Sequence, residues 1–534
     1  MAEHRNPDDI TRREALGRAA TLSAGAWAMG ALPFLSRYGE VLRRDRPNIL
    51  FIFSDDHAPH AISAYGSRIN KTPNLDRIAN EGAIFLNSFC TNSICAPSRA
   101  VVLTGKYSHV NGKIDNSGQP FDASQQTFNK VLRKAGYQTA MIGKWHLIVD
   151  PQGFDFWQIL PGQGNYYNPD FLTPAGRTHV EGYVTEIITD VTLDWLRNGR
   201  DPSRPFLLMC QHKAPHRNWM PGPKQIHLYE NEEIPEPPTL FDDWRGRASP
   251  ASEQEMTVRH HLQPAYDLKI TPPPGSPDAA GFAGYNRMTT EQKAMWDAVY
   301  EPRNAAFRAA SPQGDDLVRW YYQRYIKDYL RCVAGVDESV GHVLDWLDEA
   351  GLAENTLVVY CSDQGFYLGD HGWFDKRWMY EESLRMPFLA RWPARIRAGT
   401  RIPEMIQNID YAPTFIEMAD APVPEDIQGT SLLHLMEGEQ PAEWRDAIYY
   451  HYYEYPQPHR VAPHYGVRTE RYKLIYYYLT GEWELFDLVE DPHELRSVYD
   501  EPNRAELVAT LKVELRRLRA RYHDETGTEF PEGT

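Results

Sequence analysis

Asn48-Ile49-Leu50-Phe51-Ile52-Phe53 is a continuous apolar run that passes without a break into Ser54-Asp55-Asp56. The same construction recurs three times. Gln138-Thr139-Ala140-Met141-Ile142 leads into Gly143-Lys144-Trp145-His146, and Phe206-Leu207-Leu208-Met209-Cys210 leads to His212-Lys213-Ala214-Pro215-His216. Thr356-Leu357-Val358-Val359-Tyr360-Cys361 leads into Ser362-Asp363-Gln364-Gly365. Short apolar runs without alternation are the mark of strands buried on both faces, and such strands belong to parallel sheets. In open α/β sheets ligands bind beyond the carboxyl ends of the strands, so the four polar tips are expected to meet in one crevice. Helical patterns lie between the runs, at 74–81 and 318–349, as an α/β fold requires.

The tips carry two kinds of chemistry. Asp55, Asp56 and Asp363, with the side-chain oxygen of Gln364, form an all-oxygen set of the kind a hard divalent cation prefers. A surface Asp pair ordinarily means a solvated loop; here the pair follows a buried strand directly, and the pattern repeats at Asp363. A further stretch, Cys95-Ala96-Pro97-Ser98-Arg99 followed by Thr104-Gly105, reads as a short helix. Pro97 suits its first turn, where a missing N–H costs nothing, and Gly105 can close it with positive φ. Cys95 then sits at a helix N-terminus, which favours an anion, and Arg99 one turn on can point at the same spot.

The pattern CxPSRxxxxTG formed by these residues resembles the signature of type I sulfatases. The resemblance implies an alkaline phosphatase/sulfatase-like fold: a large mixed sheet flanked by helices, with a smaller C-terminal antiparallel sheet and helix. It implies that a formylglycine-generating enzyme oxidises Cys95 to formylglycine, an aldehyde that hydrates to a geminal diol. The metal set is then Asp55, Asp56, position 95, Asp363 and Gln364, holding Ca²⁺, with Mg²⁺ the second choice. Many members of the family carry Asn where Gln364 stands, so the amide oxygen is kept and one methylene is added. Arg99, Lys144, His146, His216 and Lys376 match the family's sulfate-binding and proton-handling positions. In the mechanism so implied, one diol hydroxyl at position 95 attacks sulfur in line and forms a covalent sulfate ester, while His216 or Lys376 protonates the departing oxygen. His146 then takes the proton of the second hydroxyl, which expels sulfate and restores the aldehyde.

Composition sets outer limits. The chain of 534 residues is 42% hydrophobic, enough for one large domain and a smaller one. A formal net charge of -17, with no Lys/Arg-rich stripe, argues against nucleic acid as a partner. An acidic protein that binds anions must concentrate its cations locally. Five cysteines without regular spacing make neither a disulfide framework nor a zinc site, and Cys90, Cys210, Cys332 and Cys361 read as small core residues. Thr11-Arg12-Arg13-Glu14-Ala15-Leu16, followed by a small, apolar stretch from Ala19 to Leu35, resembles a bacterial twin-arginine export signal. Residues 1–40 are therefore expected to be signal and linker, with the twin-arginine translocase as a partner and a periplasmic or extracellular destination.

The catalytic domain is expected over 46–436, with 221–316, polar and rich in Pro and Gly, as a surface insertion. From 437 to 534 the aromatic-rich runs at 449–455 and 472–479 suggest a small antiparallel sheet, and 505–522 a terminal amphipathic helix. For the substrate, the stretches 212–219 and 375–383 look most like bacterial glycosaminoglycan-type sulfatases, nearest to N-acetylglucosamine-6-sulfatase-like members. Arg377, His459 and His464 are candidates for the sugar pocket; exposed loop histidines are the alternative for the latter two. An arylsulfatase, a phosphonate or phosphate monoesterase of the same superfamily, and a non-catalytic binder of sulfated glycans are the rival functions.

Overall fold

The computed structural model describes residues 46–273 and 275–530; the export-signal expectation at 1–40 lies outside them. In chain order the strands are β1 (Asn48–Ser54), β2 (Ala83–Phe89), β3 (Gln138–Lys144), β4 (Phe156–Leu160), β5 (Asp170–Thr173), β6 (Gly176–His179) and β7 (Phe206–Gln211). There follow β8 (Thr356–Ser362), the short β9 (Tyr367–Leu368) and β10 (Phe374–Asp375), β11 (Phe388–Arg391) and β12 (Thr400–Gln407). The last four are β13 (Ala447–Tyr452), β14 (His464–Thr469), β15 (Tyr472–Tyr477) and β16 (Glu482–Asp487).

One ten-stranded sheet runs in the order β12-β2-β11-β8-β1-β7-β3-β4-β5-β6. The four apolar runs singled out in the sequence are its central neighbours β8, β1, β7 and β3, all parallel. Their register aligns the tips: Ser54 lies opposite Ser362, Phe53 opposite Gln211, and Gly143 opposite Gln211. The sheet is mixed because β11 runs antiparallel to both β8 and β2, and β5 and β6 fold back at the other edge. Residues 49–53 of β1 are buried on both faces, which is why the run shows no alternation.

Helices cover the sheet. The longest, Gly314–Glu349, begins four residues before the sequence pattern suggested. It also caps a second helix: its Asp337 carboxylate accepts from the backbone N–H groups of Asn74 (3.1 Å) and Leu75 (2.9 Å), the first turn of Pro73–Asn80. The smaller sheet is antiparallel in the order β13-β14-β15-β16, and the terminal helix Ala505–Arg521 packs Leu511, Leu515 and Leu518 against it. Val101 and Tyr107, in and just beyond the Cys95–Thr104 helix, belong to that same cluster, so this helix rests on the small sheet.

Residues 221–316 are more deeply integrated than a surface insertion. They contain a 21-residue helix, Thr290–Ala310, opened by a capping box between Thr289 and Gln292. Trp296, Val299 and Tyr300 of that helix are buried, as are Met256, Val258 and Leu268 from the preceding loops. The apolar positions are too widely spaced among prolines to show as a period. Cys90, Cys210, Cys332 and Cys361 are buried free thiols. Among the described residues no helix is long and apolar enough to cross a membrane.

Candidate active site

The chain leaves β1 through Asp55 and Asp56, both fully buried, with Asp56 in the left-handed region at φ 65°. It leaves β8 through Asp363 and Gln364, also fully buried. The two tips are tied together: Asp56 N–H donates to Asp363 Oδ1 (3.1 Å), and Gln364 Nε2 donates to Asp56 Oδ1 (2.5 Å). One oxygen each from Asp55, Asp56 and Asp363 lies within 4.8 Å of the others.

Ile94 is extended and the helix Cys95–Thr104 starts immediately after it; Gly105, at φ 66°, stops it by donating to Val101 O (2.8 Å). The helix is held over the carboxylates by three contacts. Ser98 Oγ donates to the Asp363 carbonyl, Asn408 Nδ2 donates to Ser98 Oγ (2.9 Å), and the second N–H of the helix, Ala96 N, donates to Asn116 Oδ1 (3.0 Å). Arg99 then bridges three strand ends. Its Nε and Nη2 donate to Asp363 Oδ2 (3.2 and 3.0 Å), and Nη1 donates to Gln211 Oε1 (2.7 Å) and to the Lys144 carbonyl (3.0 Å). Four donations from one planar guanidinium to three strand ends are a pattern an ammonium cannot reproduce.

Lys144, the last residue of β3, donates to Asp55 Oδ2 and to Gln163 Oε1. Lys376, just past β10, donates to both Asp56 oxygens, at 2.7 and 2.8 Å. His216 donates from Nδ1 to the Arg217 carbonyl (2.6 Å), leaving Nε2 3.8 Å from Asp56 Oδ2. Asp55, the Cys95 sulfur and a ring nitrogen of His216 also fall within 4.8 Å of one another. His146 is held in a left-handed conformation (φ 61°), and its Nδ1 is buried without a partner. Every residue expected in the metal and proton-handling sets is thus gathered at one end of the central strands.

Gln364 Oε1 is a buried acceptor with no donor, and Asp55 Oδ1, also without a hydrogen bond, has only the Arg99 Nη2 charge 3.5 Å away. An orphaned buried acceptor costs about 1–3 kcal/mol, and the Gln364 oxygen beside the carboxylates of Asp55, Asp56 and Asp363 matches an oxygen-seeking divalent cation. The titration of the carboxylates agrees. Burial pushes Asp56 up to about 6, against the pull of Lys376, and burial with the charge of Asp55 pushes Asp363 up to about 8. Burial also opposes ionisation of Asp55, but Lys144, His216 and Arg99 outweigh it and hold that carboxyl well below its ordinary range. A cation among these groups would favour the ionised forms of Asp56 and Asp363 that burial opposes.

Burial and the charge of Lys144 keep both His146 and His216 neutral, far below the usual histidine range. The Cys95 thiol is pushed up by burial and by Asp55, so the sulfur is not a thiolate.

Several neighbours escaped sequence reasoning. Gln211 was one residue past an apolar run and carries the Arg99 fork; Gln163 arrives from the loop after β4 with no local signal. Lys213 is buried with Nζ 4.8 Å from the Tyr166 ring centre, and burial with the charge of Lys144 pushes it down to about 8. Asp375 is the hub of the sugar-side candidates: Arg377 Nε donates to its Oδ1 (3.1 Å), and His459 Nε2 lies 3.4 Å from its Oδ2. Arg377 also reaches Glu454 Oε1 (2.6 Å) in the C-terminal part of the chain, and Glu454 accepts from Asn116 N.

His464 requires a correction. It is fully buried, its Nδ1 donates to the Ala462 carbonyl (2.8 Å), and its Nε2 accepts from Met379 N–H (3.1 Å). The ring is stacked on Trp378 and Tyr450, so neither nitrogen faces a pocket; it is a core residue and not an exposed loop histidine either.

Comparison with known proteins places this geometry. The family model described as Sulfatase matches residues 47–421, and that described as N-sulphoglucosamine sulphohydrolase, C-terminal, matches 369–521. An N-acetylglucosamine-6-O-sulfatase of Bacteroides thetaiotaomicron is 47% identical over 488 residues, covering 90% of this chain and 87% of the relative. An arylsulfatase of Clostridium perfringens is 25% identical, covering 89% of this chain and 95% of that one. A solved structure in complex with its substrate, D-glucosamine-2-N,6-O-disulfate, has a TM-score of 0.88 at 46% identity, covering 90% of this chain and 99% of that one. The phosphonate monoester hydrolase of Agrobacterium radiobacter shares the fold, with a TM-score of 0.63 at 22% identity, covering 89% of this chain and 96% of that one. A family model spanning most of the chain and a relative this similar along nearly all of it agree with the gathered Asp55, Cys95 and Arg99 in one conclusion: the chain belongs to the sulfatase family and is a sulfuric ester hydrolase.

Proposed function

We propose that this sulfatase removes the 6-O-sulfate of a glycosaminoglycan-type N-acetylglucosamine, with a formylglycine made from Cys95 and a calcium ion in the carboxylate cluster. The observation that carries the proposal is the near-half identity to an N-acetylglucosamine-6-O-sulfatase in a chain whose candidate nucleophile, carboxylates and cations all converge. Asp55, Asp56, Asp363, Gln364 and position 95 would hold the calcium ion, which would supply Lewis-acid charge stabilisation, and the hydrated aldehyde would supply an oxygen nucleophile. The neutral, buried thiol supports the need for conversion, since Cys95 as it stands is poorly activated.

The chain's own residues do the rest. Arg99 and Lys144 fix Asp363 and Asp55 in place and present positive charge where the sulfate oxygens would lie. Lys376, an ammonium within 3 Å of both Asp56 oxygens, delivers the proton to the departing sugar oxygen, and His216, neutral with its Nε2 unprotonated, shares that role only once it has taken up a proton; such help is worth typically about 10² to 10⁴ in rate. His146, held neutral, accepts the proton when position 95 is regenerated. Asp375, Arg377 and His459 bind sugar hydroxyls on the side closed by Glu454. In this scheme residues 46–436 carry the chemistry, 437–534 complete the sugar side, and 1–40 direct export through the twin-arginine translocase.

Peptide mass spectrometry across Cys95, on protein made beside a formylglycine-generating enzyme, is the test, coupled to sulfate release from N-acetylglucosamine 6-sulfate. An aldehyde at position 95 with sulfate release supports the proposal. A persistent thiol, in cells that convert another sulfatase, overturns it; preferential turnover of phosphate esters would move the chain to the phosphoesterase side of the superfamily.

A further inference from the structure

A second concentration of positive charge lies on the long helix Gly314–Glu349, away from the carboxylates. Successive residues of a helix turn by about 100°, so Arg324, Lys327 and Arg331 share one stripe while Tyr325 and Tyr329 occupy another. The tyrosine stripe serves the active site: Tyr329 OH donates to the Asp56 carbonyl (2.8 Å) and Tyr325 OH to that of Tyr367 (2.7 Å). The cationic stripe faces a groove of about 250 Å³ closed by Arg303, Trp320 and Glu230.

The cations in this groove are held in place and incompletely compensated. The Tyr300 ring lies under the guanidinium of Arg303 (5.3 Å) and that of Arg324 (5.2 Å), and Trp320 lies 5.1 Å from Arg324. Arg324 donates to Asn304 Oδ1 (2.6 Å), a neutral partner, and Arg331 to Asp328 Oδ1 (2.7 Å). Arg303 pairs with Glu230 through Nη2 (3.3 Å), but its Nη1 is buried without a hydrogen-bond partner. Lys327 makes no hydrogen bond or ion pair among the described residues. Burial and the charges of Arg331 and Arg303 push its ammonium down, with Glu233 and Glu232 opposing. Four cations stand against the carboxylates of Glu230 and Asp328, with Glu232 and Glu233 acting on Lys327, and Arg303 Nη1 and the Lys327 ammonium are left without an acceptor on a chain whose net charge is -17.

We propose that this groove is a second anion site, which takes a sulfate group of a sulfated glycan chain at a distance from the position of hydrolysis. The aromatic rings preorganise the guanidinium donors, so little side-chain freedom is lost on binding, and Lys327 adds a half-buried point charge to the lining. The inference rests on the sulfated-sugar reading of the active site, and its test separates the two.

Heparin octasaccharide and sodium sulfate are titrated calorimetrically into the wild-type protein and into Lys327→Glu and Lys327→Gln. Sulfate release from N-acetylglucosamine 6-sulfate is measured on the same preparations. Lys327 is unpaired and partly exposed, so neither variant threatens the fold, and equal thermal melts check this. The expectation is a roughly tenfold weaker octasaccharide affinity in Lys327→Glu, a smaller loss in Lys327→Gln, and monosaccharide kcat/KM within about twofold of wild type. The wild-type advantage should shrink as salt is raised. Octasaccharide affinity unchanged by Lys327→Glu overturns the groove. So does a loss confined to sodium sulfate, which would make it a pocket for the free anion. If the monosaccharide is not cleaved by the wild type, the active-site reading fails, while the octasaccharide comparison still decides the groove.

Discussion

Gln364→Leu separates the two roles that one side chain plays. Without a cation, leucine has opposing effects. It removes the Gln364 Nε2 donation to Asp56 Oδ1, a hydrogen bond to a charged group worth about 1.5–3 kcal/mol, and it removes the orphaned Oε1, whose burial costs about 1–3 kcal/mol. The two nearly cancel, so the variant in chelator should melt close to wild type. With calcium only the loss of a ligand remains. At a calcium concentration about 100 times the wild-type Kd the ion stabilises the native protein by about 2.7 kcal/mol, and a roughly tenfold weaker site retains about 1.4 kcal/mol. The assay is a pair of thermal melts, in EDTA and in calcium, for each protein. A calcium increment equal in the two proteins would refute Gln364 as a ligand. A large loss already present in EDTA would refute the cancellation, and with it the claim that the oxygen is orphaned.

Other substitutions probe other parts of the molecule. Cys95→Ser, made in a host that cannot convert serine, should abolish sulfate release and leave the melt near wild type; substantial turnover would sink the proposed nucleophile. Gly143→Ala should destabilise by at least about 3 kcal/mol in denaturant titration, because at φ 102° a Cβ would sit 1.9 Å from the Gln211 carbonyl oxygen and force β3 from β7. His464→Gln should lower Tm at pH 7 without changing KM, as expected of a core residue. Its wild-type ring is pushed down to about 3 by burial, below the ordinary 6.5, so its contribution is present above pH 6.5 and lost as pH falls towards 3. The variant's stability should therefore fall less steeply between pH 6.5 and 4.5, and parallel curves would count against that account.

The chemistry of the central strands was legible because each run is buried on both faces and ends abruptly in charge. Asp55, Lys144, His216 and Asp363 were found this way, since a one-dimensional signal sits at each tip. The strand order β8-β1-β7-β3 has no such signal; it is decided by crossover connections. Gln163, Asn116 and Glu454 were invisible for a related reason: each is an ordinary polar residue made important by a partner far along the chain. His464 was misplaced because a strand in a four-stranded sheet ordinarily has a wet face. Here the loop at Trp378 covers one side and the terminal helix the other, so a polar residue at the start of β14 finds itself in the core. In the Thr290–Ala310 helix, Pro302 and a sparse apolar stripe hid a regular element inside a proline-rich stretch.

Under the proposed conversion of Cys95, the Ser98 and Arg99 contacts that clamp its helix also impose an order of events on the cell. Cys95 has no exposed surface once β3, β7 and β8 have closed around Arg99. An enzyme that alters its sulfur must reach a chain in which these strands have not yet come together, so the folding rate sets a deadline for maturation. Variants that fold faster would emerge with a smaller fraction of active molecules, and a slow-folding variant would be more completely matured although less stable.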